Sequence, residues 1–272
     1  MARQPGGAAR MKKSRIAVIQ FPGLNCEDET RKVLQDCGMA ADIIRWTADH
    51  EALDSYDGFV IPGGWSYEDR IRAGVLASKN PLLIEIKRRC AKGAPVLGIC
   101  NGAQVLVEAG LVPGLSEEGD VALAPNKNPV IRGYYCTWTW VRVRKGKETA
   151  FNRRFKEGQV FQIPIAHAEG RFTAEDPAVF TLLERKGHIA LQYCDPQGRI
   201  IDAFPVNPNG TMLNIAALTN GEGTALAIMP HPERASYRRQ VPGFAGDFKA
   251  GESAAPARAI FESMRDYLEA RR

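Results

Sequence analysis

The sequence predicts an α/β fold in which an open, mainly parallel central sheet is flanked by helices and extended by additional antiparallel strands. Two observations predict it. As far as residue 109, short apolar runs alternate with segments of helical periodicity, as they do where a parallel sheet is covered on both faces. Further on, residues 136–144 (CTWTWVRVR) alternate polar and apolar side chains, which is typical of a half-exposed antiparallel strand.

The first half of the chain supplies the parallel part of the predicted sheet. Four short apolar runs are expected to be strands: Ile16–Gln20, Ala41–Trp46, Tyr56–Ile61 and Pro95–Ile99. Three segments with helical spacing are expected to be helices: Glu27–Cys37, Asn80–Ala91 and Asn101–Ala109. Gly38 is expected to end the first helix, because glycine readily adopts the left-handed conformation that closes helices.

The second half is expected to add strands and a final helix. Three further strands are predicted: Val160–Ile165, Ile189–Tyr193 and Ala225–Met229. An apolar stripe predicts an amphipathic C-terminal helix that packs on the body: Ile260, Phe261, Met264, Tyr267 and Leu268. Residues 235–255 contain a proline and three glycines and are expected to form a loop-rich surface insertion. We expect residues 15–272 to be one domain and residues 1–14 to be a disordered basic tail.

The charge does not indicate a nucleic-acid partner. The 272 residues carry a net charge of +5, and five basic residues precede the first acidic one, Glu27: Arg3, Arg10, Lys12, Lys13 and Arg15. The remaining chain is therefore formally neutral and lacks the basic stripe of a phosphate-backbone binder. No apolar run reaches the ~18 residues that a membrane span requires, so no membrane association is expected.

The six cysteines are scattered, with no C-x-x-C pair and no cysteine and histidine cluster at zinc spacing. We therefore expect free thiols in a reducing cytoplasm, and no metal. Five of the six are expected to be inert packing residues.

The sixth, Cys100, lies in Gly98-Ile99-Cys100-Asn101-Gly102, which has the G-x-nucleophile-x-G form of a nucleophile elbow. A strand that turns directly into a helix holds the nucleophile in a strained backbone, and side chains at the flanking positions would collide with neighbouring backbone. The turn also directs the N–H of Asn101 into the site and places the sulfur near a helix N-terminus, where a thiolate is stabilised. The alternative is a small buried residue at a tight turn.

A cysteine nucleophile needs a base, and the chain has four histidines. His50 and His188 lie beside charged residues and are expected to be solvated. His231-Pro232-Glu233 is favoured, because it ends a buried apolar strand, where parallel-sheet active sites form. Glu233 is positioned to hold the imidazole tautomer, which completes a Cys–His–Glu relay. His167-Ala168-Glu169 has the same spacing, but a structural role is the favoured interpretation there.

Pro62-Gly63-Gly64 also follows a buried strand. A glycine-rich strand end allows a backbone N–H to approach a reacting carbonyl, so Gly64 is a candidate second oxyanion donor beside Asn101. A plain tight turn is the alternative.

Together these residues resemble the class I (triad-type) glutamine amidotransferases, whose fold is flavodoxin-like. The likeness is strongest to the family of phosphoribosylformylglycinamidine synthase glutaminase subunits. It is carried by six segments that span most of the chain: Ile16–Glu27 (IAVIQFPGLNCE), Ile61–Gly74 (IPGGWSYEDRIRAG), Gly98–Gln104 (GICNGAQ), Ile163–Phe172 (IPIAHAEGRF), Asn207–Ala216 (NPNGTMLNIA) and Met229–Arg234 (MPHPER).

The resemblance implies that Cys100 attacks the side-chain amide of L-glutamine, and that His231 passes a proton to the departing ammonia. Gln104 is similar to a residue that helps to hold the amino-acid end of the substrate. The ammonia is expected to pass to a large ATP-dependent synthetase subunit, bridged by a small third subunit, which amidates formylglycinamide ribonucleotide in purine biosynthesis. ATP and Mg²⁺ are expected on that synthetase, and no cofactor is expected in this chain.

The chain departs from the family pattern at a few positions. Glu68 replaces the usual glycine, and Ala168 replaces the glycine of the more common His-Gly-Glu. Trp65 and Ala103 replace phenylalanines, and the 235–255 loop is longer than in compact members. These changes concern the pocket and the partner interface rather than the triad.

Three other classes remain as alternatives. They are another amidotransferase of the same class, a cysteine peptidase or deglycase-like protein on a similar sheet, and a binding subunit that kept the fold without activity. In the peptidase-like proteins a histidine tends to follow the elbow cysteine directly, whereas Asn101 stands here.

Overall fold

The computed structural model of the protein describes residues 13–115 and 120–272. The predicted basic tail, residues 1–14, lies outside the described residues except for Lys13 and Ser14. No helix in the described ranges is long and apolar enough to cross a membrane.

A nine-stranded sheet dominates the fold. The strands in chain order are β1 (Arg15–Gln20), β2 (Ala40–Arg45), β3 (Gly58–Ile61), β4 (Val96–Ile99), β5 (Ala122–Ala124), β6 (Tyr135–Val143), β7 (Val160–His167), β8 (Arg171–Thr173), β9 (Ile189–Cys194), β10 (Ile215–Thr219) and β11 (Ala225–Ile228). The large sheet has the order β2-β1-β3-β4-β11-β10-β9-β6-β7, and β5 pairs with β8 in a separate ribbon.

The sheet consists of a parallel half and an antiparallel half. β2, β1, β3, β4 and β11 run parallel to one another, whereas β10, β9, β6 and β7 each pair antiparallel to the preceding strand. The predicted fold class, mainly parallel at the centre with additional antiparallel strands, is confirmed.

Seven α-helices accompany the strands within the described residues: α1 (Glu27–Asp36), α2 (Val75–Ser78), α3 (Pro81–Ala91), α4 (Asn101–Glu108), α5 (Ala178–Arg185), α6 (Phe248–Gly251) and α7 (Ala259–Glu269). α1 packs against β1 and β2, and α4 packs against β3, β4 and β11. β4 is buried along its whole length, as expected for a central parallel strand with both faces covered. Each fully buried Leu or Ile side chain there, such as Leu97 and Ile99, stabilises the fold by roughly 1.5–3 kcal/mol before entropic costs.

The strand register determines where the predicted functional segments meet. β4 lies between β3 and β11, with Gly98 paired to Ile61 and Ile99 paired to Ile228. Because all three strands are parallel, their carboxyl ends lie at the same edge of the sheet. Segments that follow residues 61, 99 and 228 in the chain are therefore neighbours in space.

Several elements were not predicted. The strands β5 and β8 and the helix α2 have only three or four residues, too few for a periodicity to identify them. The strand β10 and the helix α5 are as long as elements that were predicted, and their patterns were missed. The segment 235–255 is not only loop, because it contains α6 and a single helical turn at Arg238–Gln240.

The expectation that His188 is solvated is wrong. It is 3% exposed, and its Nδ1 lies 2.9 Å from the carbonyl oxygen of Thr219. The backbone of β10 therefore satisfies an imidazole that charged sequence neighbours had suggested was in solvent. His50 is exposed, as expected.

All six cysteines are free thiols. Cys37, Cys90 and Cys194 are buried packing residues, as expected, but Cys136 is exposed. Cys26 is buried at the edge of the sheet where the functional segments meet, and its surroundings are described with the site.

Candidate active site

The turn between β4 and α4 holds Cys100 in a strained conformation. Its φ is 51° and its ψ is −106°, in a region that non-glycine residues rarely adopt and that costs on the order of 1–3 kcal/mol. The Cys100 N–H donates to the carbonyl oxygen of Ile228 at 2.8 Å, which ties the turn to the end of β11. The side chain is 6% exposed.

Both glycines that flank Cys100 are sterically required, as the sequence predicted. A β-carbon on Gly98 would lie 2.4 Å from the carbonyl oxygen of Gly102. A β-carbon on Gly102 would lie 1.9 Å from the carbonyl oxygen of Ile61 in β3. The start of α4 can therefore lie directly on β3 and β4 only if these positions have no side chain.

His231 and Glu233 form a buried pair directly after β11. The Nδ1 of His231 lies 2.6 Å from Oε1 of Glu233, and the two side chains are 3% and 0% exposed. The backbone N–H of His231 donates to the carbonyl oxygen of Pro164 at 2.9 Å, and Pro232 begins a single helical turn at Pro232–Ala235. His231 is therefore held in place by a hydrogen bond of its backbone and by a hydrogen bond of its ring.

Opposing effects act on the pKa of His231. Burial lowers it, because an imidazolium loses its hydration. The Glu233 carboxylate and the thiols of Cys100 and Cys26 act in the other direction and outweigh burial, so the pKa lies well above its usual value. The paired imidazole therefore favours its protonated form, which stabilises a thiolate nearby.

Cys100 and His231 share one small pocket of about 30 Å³. Its lining is contributed by Asn25, Cys26, Gly64, Trp65, Cys100, Tyr134, Ala166, His231 and Arg234. This enclosed space is small compared with an amino acid, so we expect lining side chains to move when a substrate enters. The half-exposed rings of Trp65 and Tyr134, whose centroids lie 5.8 Å apart, form part of this lining.

The two candidate oxyanion donors come from the loop after β3 and from the first residue of α4. Gly64 lines the pocket with a φ of 143°, and a β-carbon there would lie 2.5 Å from Cα of Leu24. Asn101 is the first residue of α4, so its N–H has no acceptor within the helix.

The side chain of Asn101 is a buried junction between neighbouring segments. It accepts the N–H of Ser66 at 3.1 Å and donates to Oδ1 of Asp69 at 3.0 Å and to Oε1 of Gln104 at 2.8 Å. Gln104, which is 5% exposed, in turn donates to the carbonyl oxygen of Glu169 at 2.7 Å. Gln104 therefore connects α4 to the segment after β7, and its contact with a substrate stays a prediction.

The segment that carries Asp69 is strained. Tyr67, Glu68, Asp69 and Ile71 have φ values of 53°, 60°, 51° and 70°. Burial, and then the nearby carboxylate of Glu169, raises the pKa of Asp69 to about 6. The glycine that the family usually has at position 68 would relieve one of these left-handed residues.

His167 ends β7 and is 3% exposed, with Nδ1 lying 3.1 Å from Oδ1 of Asn126. Burial, and then the charge of His231, lowers the pKa of His167 to about 3, so its imidazole is neutral at physiological pH. The structural role of His167 stays a prediction.

Two residues of the site were missed. Cys26, expected to be a packing residue, lines the pocket, and its Sγ accepts a hydrogen bond from Nη2 of Arg234 at 3.0 Å. Arg234 also contacts Glu29 at 3.2 Å and lies 3.8 Å from Glu233. Burial raises the pKa of the Cys26 thiol, against the lowering effect of His231. The available signal was that Cys26 and Arg234 lie within two of the segments that carry the family resemblance.

Comparisons with known proteins show the family to which the chain belongs. The chain matches the CobB/CobQ-like glutamine amidotransferase domain over residues 13–268 and belongs to that family. This confirms the class I glutamine amidotransferase class predicted from the sequence.

Particular relatives are similar over nearly the whole chain. It is 46% identical over 271 residues to the phosphoribosylformylglycinamidine synthase subunit PurQ of Methanothrix thermoacetophila, covering 95% of this chain and 99% of the relative. It is 43% identical to the PurQ subunit of Pyrococcus furiosus, covering 82% and 90% respectively. Among solved structures, PurLQS from Thermotoga maritima superposes with a TM-score of 0.72 at 28% identity, covering 94% of this chain and 100% of that one.

We expect Gly102→Ala to destabilise the protein by about 2 kcal/mol or more, because the new methyl group collides with the carbonyl of Ile61. Gly221→Ala is the matched control, since a β-carbon there meets nothing within 4 Å, and its effect is expected to stay below about 1 kcal/mol. Urea unfolding of both variants checks this. Equal stability of Gly102→Ala and the wild type would contradict the packing described for the elbow.

We expect Glu233→Gln to lower the pKa of His231, because the carboxylate that stabilises the imidazolium is replaced by a neutral amide of similar shape. NMR titration of the histidine ring signals measures this. Glu51→Gln is the control, since Glu51 contacts only the exposed ring of His50 among the histidines. An unchanged His231 titration in Glu233→Gln would show that the pair does not set the charge of the imidazole.

Proposed function

We propose that this chain is the glutaminase subunit of phosphoribosylformylglycinamidine synthase. In this role it hydrolyses L-glutamine to glutamate and ammonia during purine biosynthesis. The observation that carries the proposal is the pocket in which the strained Cys100 meets the buried His231–Glu233 pair. Its presence in a chain that matches PurQ subunits along nearly their full length supports this particular reaction.

The first half of the reaction forms a thioester. The Cys100 thiolate attacks the side-chain amide carbon of glutamine, and the carbonyl oxygen takes up the electron pair as an oxyanion. The N–H groups of Gly64 and Asn101 are the donors that stabilise it. When the oxyanion collapses, the C–N bond breaks, and the His231 imidazolium gives its proton to the departing nitrogen, which leaves as ammonia.

The second half regenerates the enzyme. The now neutral imidazole of His231 takes a proton from water as the water attacks the thioester, and the C–S bond breaks to release glutamate and the thiolate. Glu233 keeps Nδ1 of the ring protonated, so that Nε2 is the nitrogen that exchanges protons. Nε2 has no hydrogen-bond partner among the described residues, which leaves it available to the substrate.

Substrate binding requires the pocket to open. We propose that Gln104 helps to bind the amino-acid end of glutamine. It would act there together with the backbone of Glu169, to whose carbonyl oxygen it donates a hydrogen bond. Because the pocket is so small, we expect the isolated chain to be less active than the assembled enzyme.

The partners follow from the same proposal. The relatives are subunits of a synthase, and the similar solved structure is that of PurLQS, which supports partnership with a synthetase subunit. We propose that ammonia passes to this large subunit, that a small third subunit bridges the two, and that ATP and Mg²⁺ bind the synthetase rather than this chain. We propose a cytoplasmic location, with neither a membrane nor a nucleic acid among the partners.

We expect Cys100→Ala to abolish glutamine-dependent amidation in the assembled enzyme while ammonium-dependent amidation persists, because only the source of ammonia is lost. Glutamate release and product formation with each nitrogen source measure this. Cys136→Ala, which removes an exposed thiol, is the control. Glutamine-dependent activity in Cys100→Ala would show that another residue is the nucleophile.

We expect His231→Asn to reduce glutamine hydrolysis by about 10²–10⁴-fold, the usual contribution of a general acid–base. His167→Asn is expected to cost less than about tenfold, since its neutral ring is bonded to Asn126 rather than placed for proton transfer. Steady-state glutaminase rates of the two variants decide the ranking. The reverse order would move the base role to His167.

A further inference from the structure

A group of three potential metal ligands lies within the site. One ligand atom each from Cys26, His231 and Glu233 lies within 4.8 Å of the other two, and all three residues are buried. They come from the loop after β1 and from the turn after β11, more than 200 residues apart in the chain. Such a group has no sequence spacing by which a motif search would find it.

The three donors suit one class of ion. A thiolate sulfur, an imidazole nitrogen and a carboxylate oxygen are the ligands that Zn²⁺ takes in proteins, at about 2.3, 2.0 and 2.1 Å. Two such ligands on a tetrahedral ion lie roughly 3.5 Å apart. The ligand atoms lie at most 4.8 Å apart, so the more distant ones have to approach by about 1 Å to enclose an ion. Nδ1 of His231 and Oε1 of Glu233, which are 2.6 Å apart, have to separate by about 1 Å to admit it.

Two of these residues carry buried polar atoms without a hydrogen bond. Oε2 of Glu233 and Nε2 of His231 have no partner among the described residues. Glu233 is completely buried, so Oε2 loses its hydration when the protein folds, and no hydrogen bond replaces that hydration. A cation between Cys26 and Glu233 would satisfy this oxygen.

Arg234 affects such an ion in two ways. Its Nη2 donates to Sγ of Cys26, as N–H groups commonly do to metal-bound sulfur. Its charge, 3.8 Å from Glu233, opposes a second cation. Before an ion enters, the Cys26 thiol is neutral and the charges of the imidazolium and of Arg234 outweigh that of Glu233. Only after the thiol and the imidazolium have lost their protons do two negative ligands and one arginine leave a negative site for the divalent ion.

We propose that Cys26, His231 and Glu233 bind a thiophilic divalent cation of the Zn²⁺ type, and that the bound ion blocks glutamine hydrolysis by occupying the imidazole that transfers protons. Binding releases the protons of the Cys26 thiol and of the imidazolium to solvent, and no bond is oxidised or reduced. The blocking effect rests on the proposed function, whereas metal binding does not. The pocket beside Cys26 and His231 is the route of entry.

Cobalt binding tests the site without any enzymatic assay. Co²⁺ occupies zinc sites and absorbs strongly in the near ultraviolet when a thiolate is bound. The full-length chain carries Cys136→Ser, which removes the exposed thiol, and Cys100→Ala, which removes the nucleophile. We expect this variant to bind one Co²⁺ with thiolate absorption, and addition of Cys26→Ser to abolish that absorption.

Cys90→Ser in the same background is the matched control, because Cys90 is equally buried but lies against Thr224, away from the site. It is expected to retain the absorption. If the absorption disappears with Cys100→Ala alone, the metal binds between Cys100 and His231, and the proposal is wrong. Absence of thiolate absorption in every variant, including one that retains Cys100, would overturn it as well.

Inhibition is measured on the assembled enzyme with Zn²⁺, relative to the uninhibited rate of each variant. We expect the half-inhibitory Zn²⁺ concentration to rise at least tenfold in Cys26→Ser, and a chelator to restore the activity of the wild type. Equal sensitivity of Cys26→Ser and the wild type would contradict the proposed ligand set. If the chain had no glutaminase activity at all, the proposed function would fail, and the cobalt spectra would still decide the metal site.

Discussion

The structure of the site depends on the close contact between the start of α4 and the two parallel strands beneath it. Gly102 lies against the carbonyl of Ile61, and Gly98 lies against Gly102, so the chain must turn sharply at Cys100. The turn places Cys100 at a φ of 51°, a backbone conformation that costs free energy. Burial of the apolar strands β3, β4 and β11 stabilises the fold enough to keep Cys100 in this conformation. Because the backbone of this turn is fixed, the sulfur of Cys100 is held at the carboxyl edge of the sheet.

The same edge brings the base to the thiol. β11 is the parallel neighbour of β4, so the residues that follow the two strands are adjacent although they are far apart in the chain. Because His231 and Glu233 are both buried, their interaction is only weakly screened by water. This is why the carboxylate holds the pKa of His231 high despite the cost of burial. The protonation of His231 therefore depends on the strand order, which buries the pair beside Cys100, as well as on the identity of the residues.

Features that depend on local pattern were predictable from the sequence. Apolar runs identified the strands β1 to β4 and β11, and the glycines around Cys100 and the His-x-Glu after β11 indicated the residues that the structure brings into one pocket. Features that depend on tertiary contact were not predictable. Cys26 meets His231 only because β1 and β11 end at the same edge, and His188 is buried only because β10 lies beside it. The Asn101 junction likewise joins segments whose proximity no spacing reveals.

The central claim is that the elbow presents Cys100 as the nucleophile to the imidazole of His231. The most direct test is to quench the assembled enzyme with acid during glutamine turnover and to map the covalent glutamyl group by mass spectrometry. The account predicts a glutamyl thioester on the peptide that contains Cys100, with much less of it in Cys100→Ser. A glutamyl group on Cys26 instead, or turnover with unmodified Cys100 at every quench time, would contradict it.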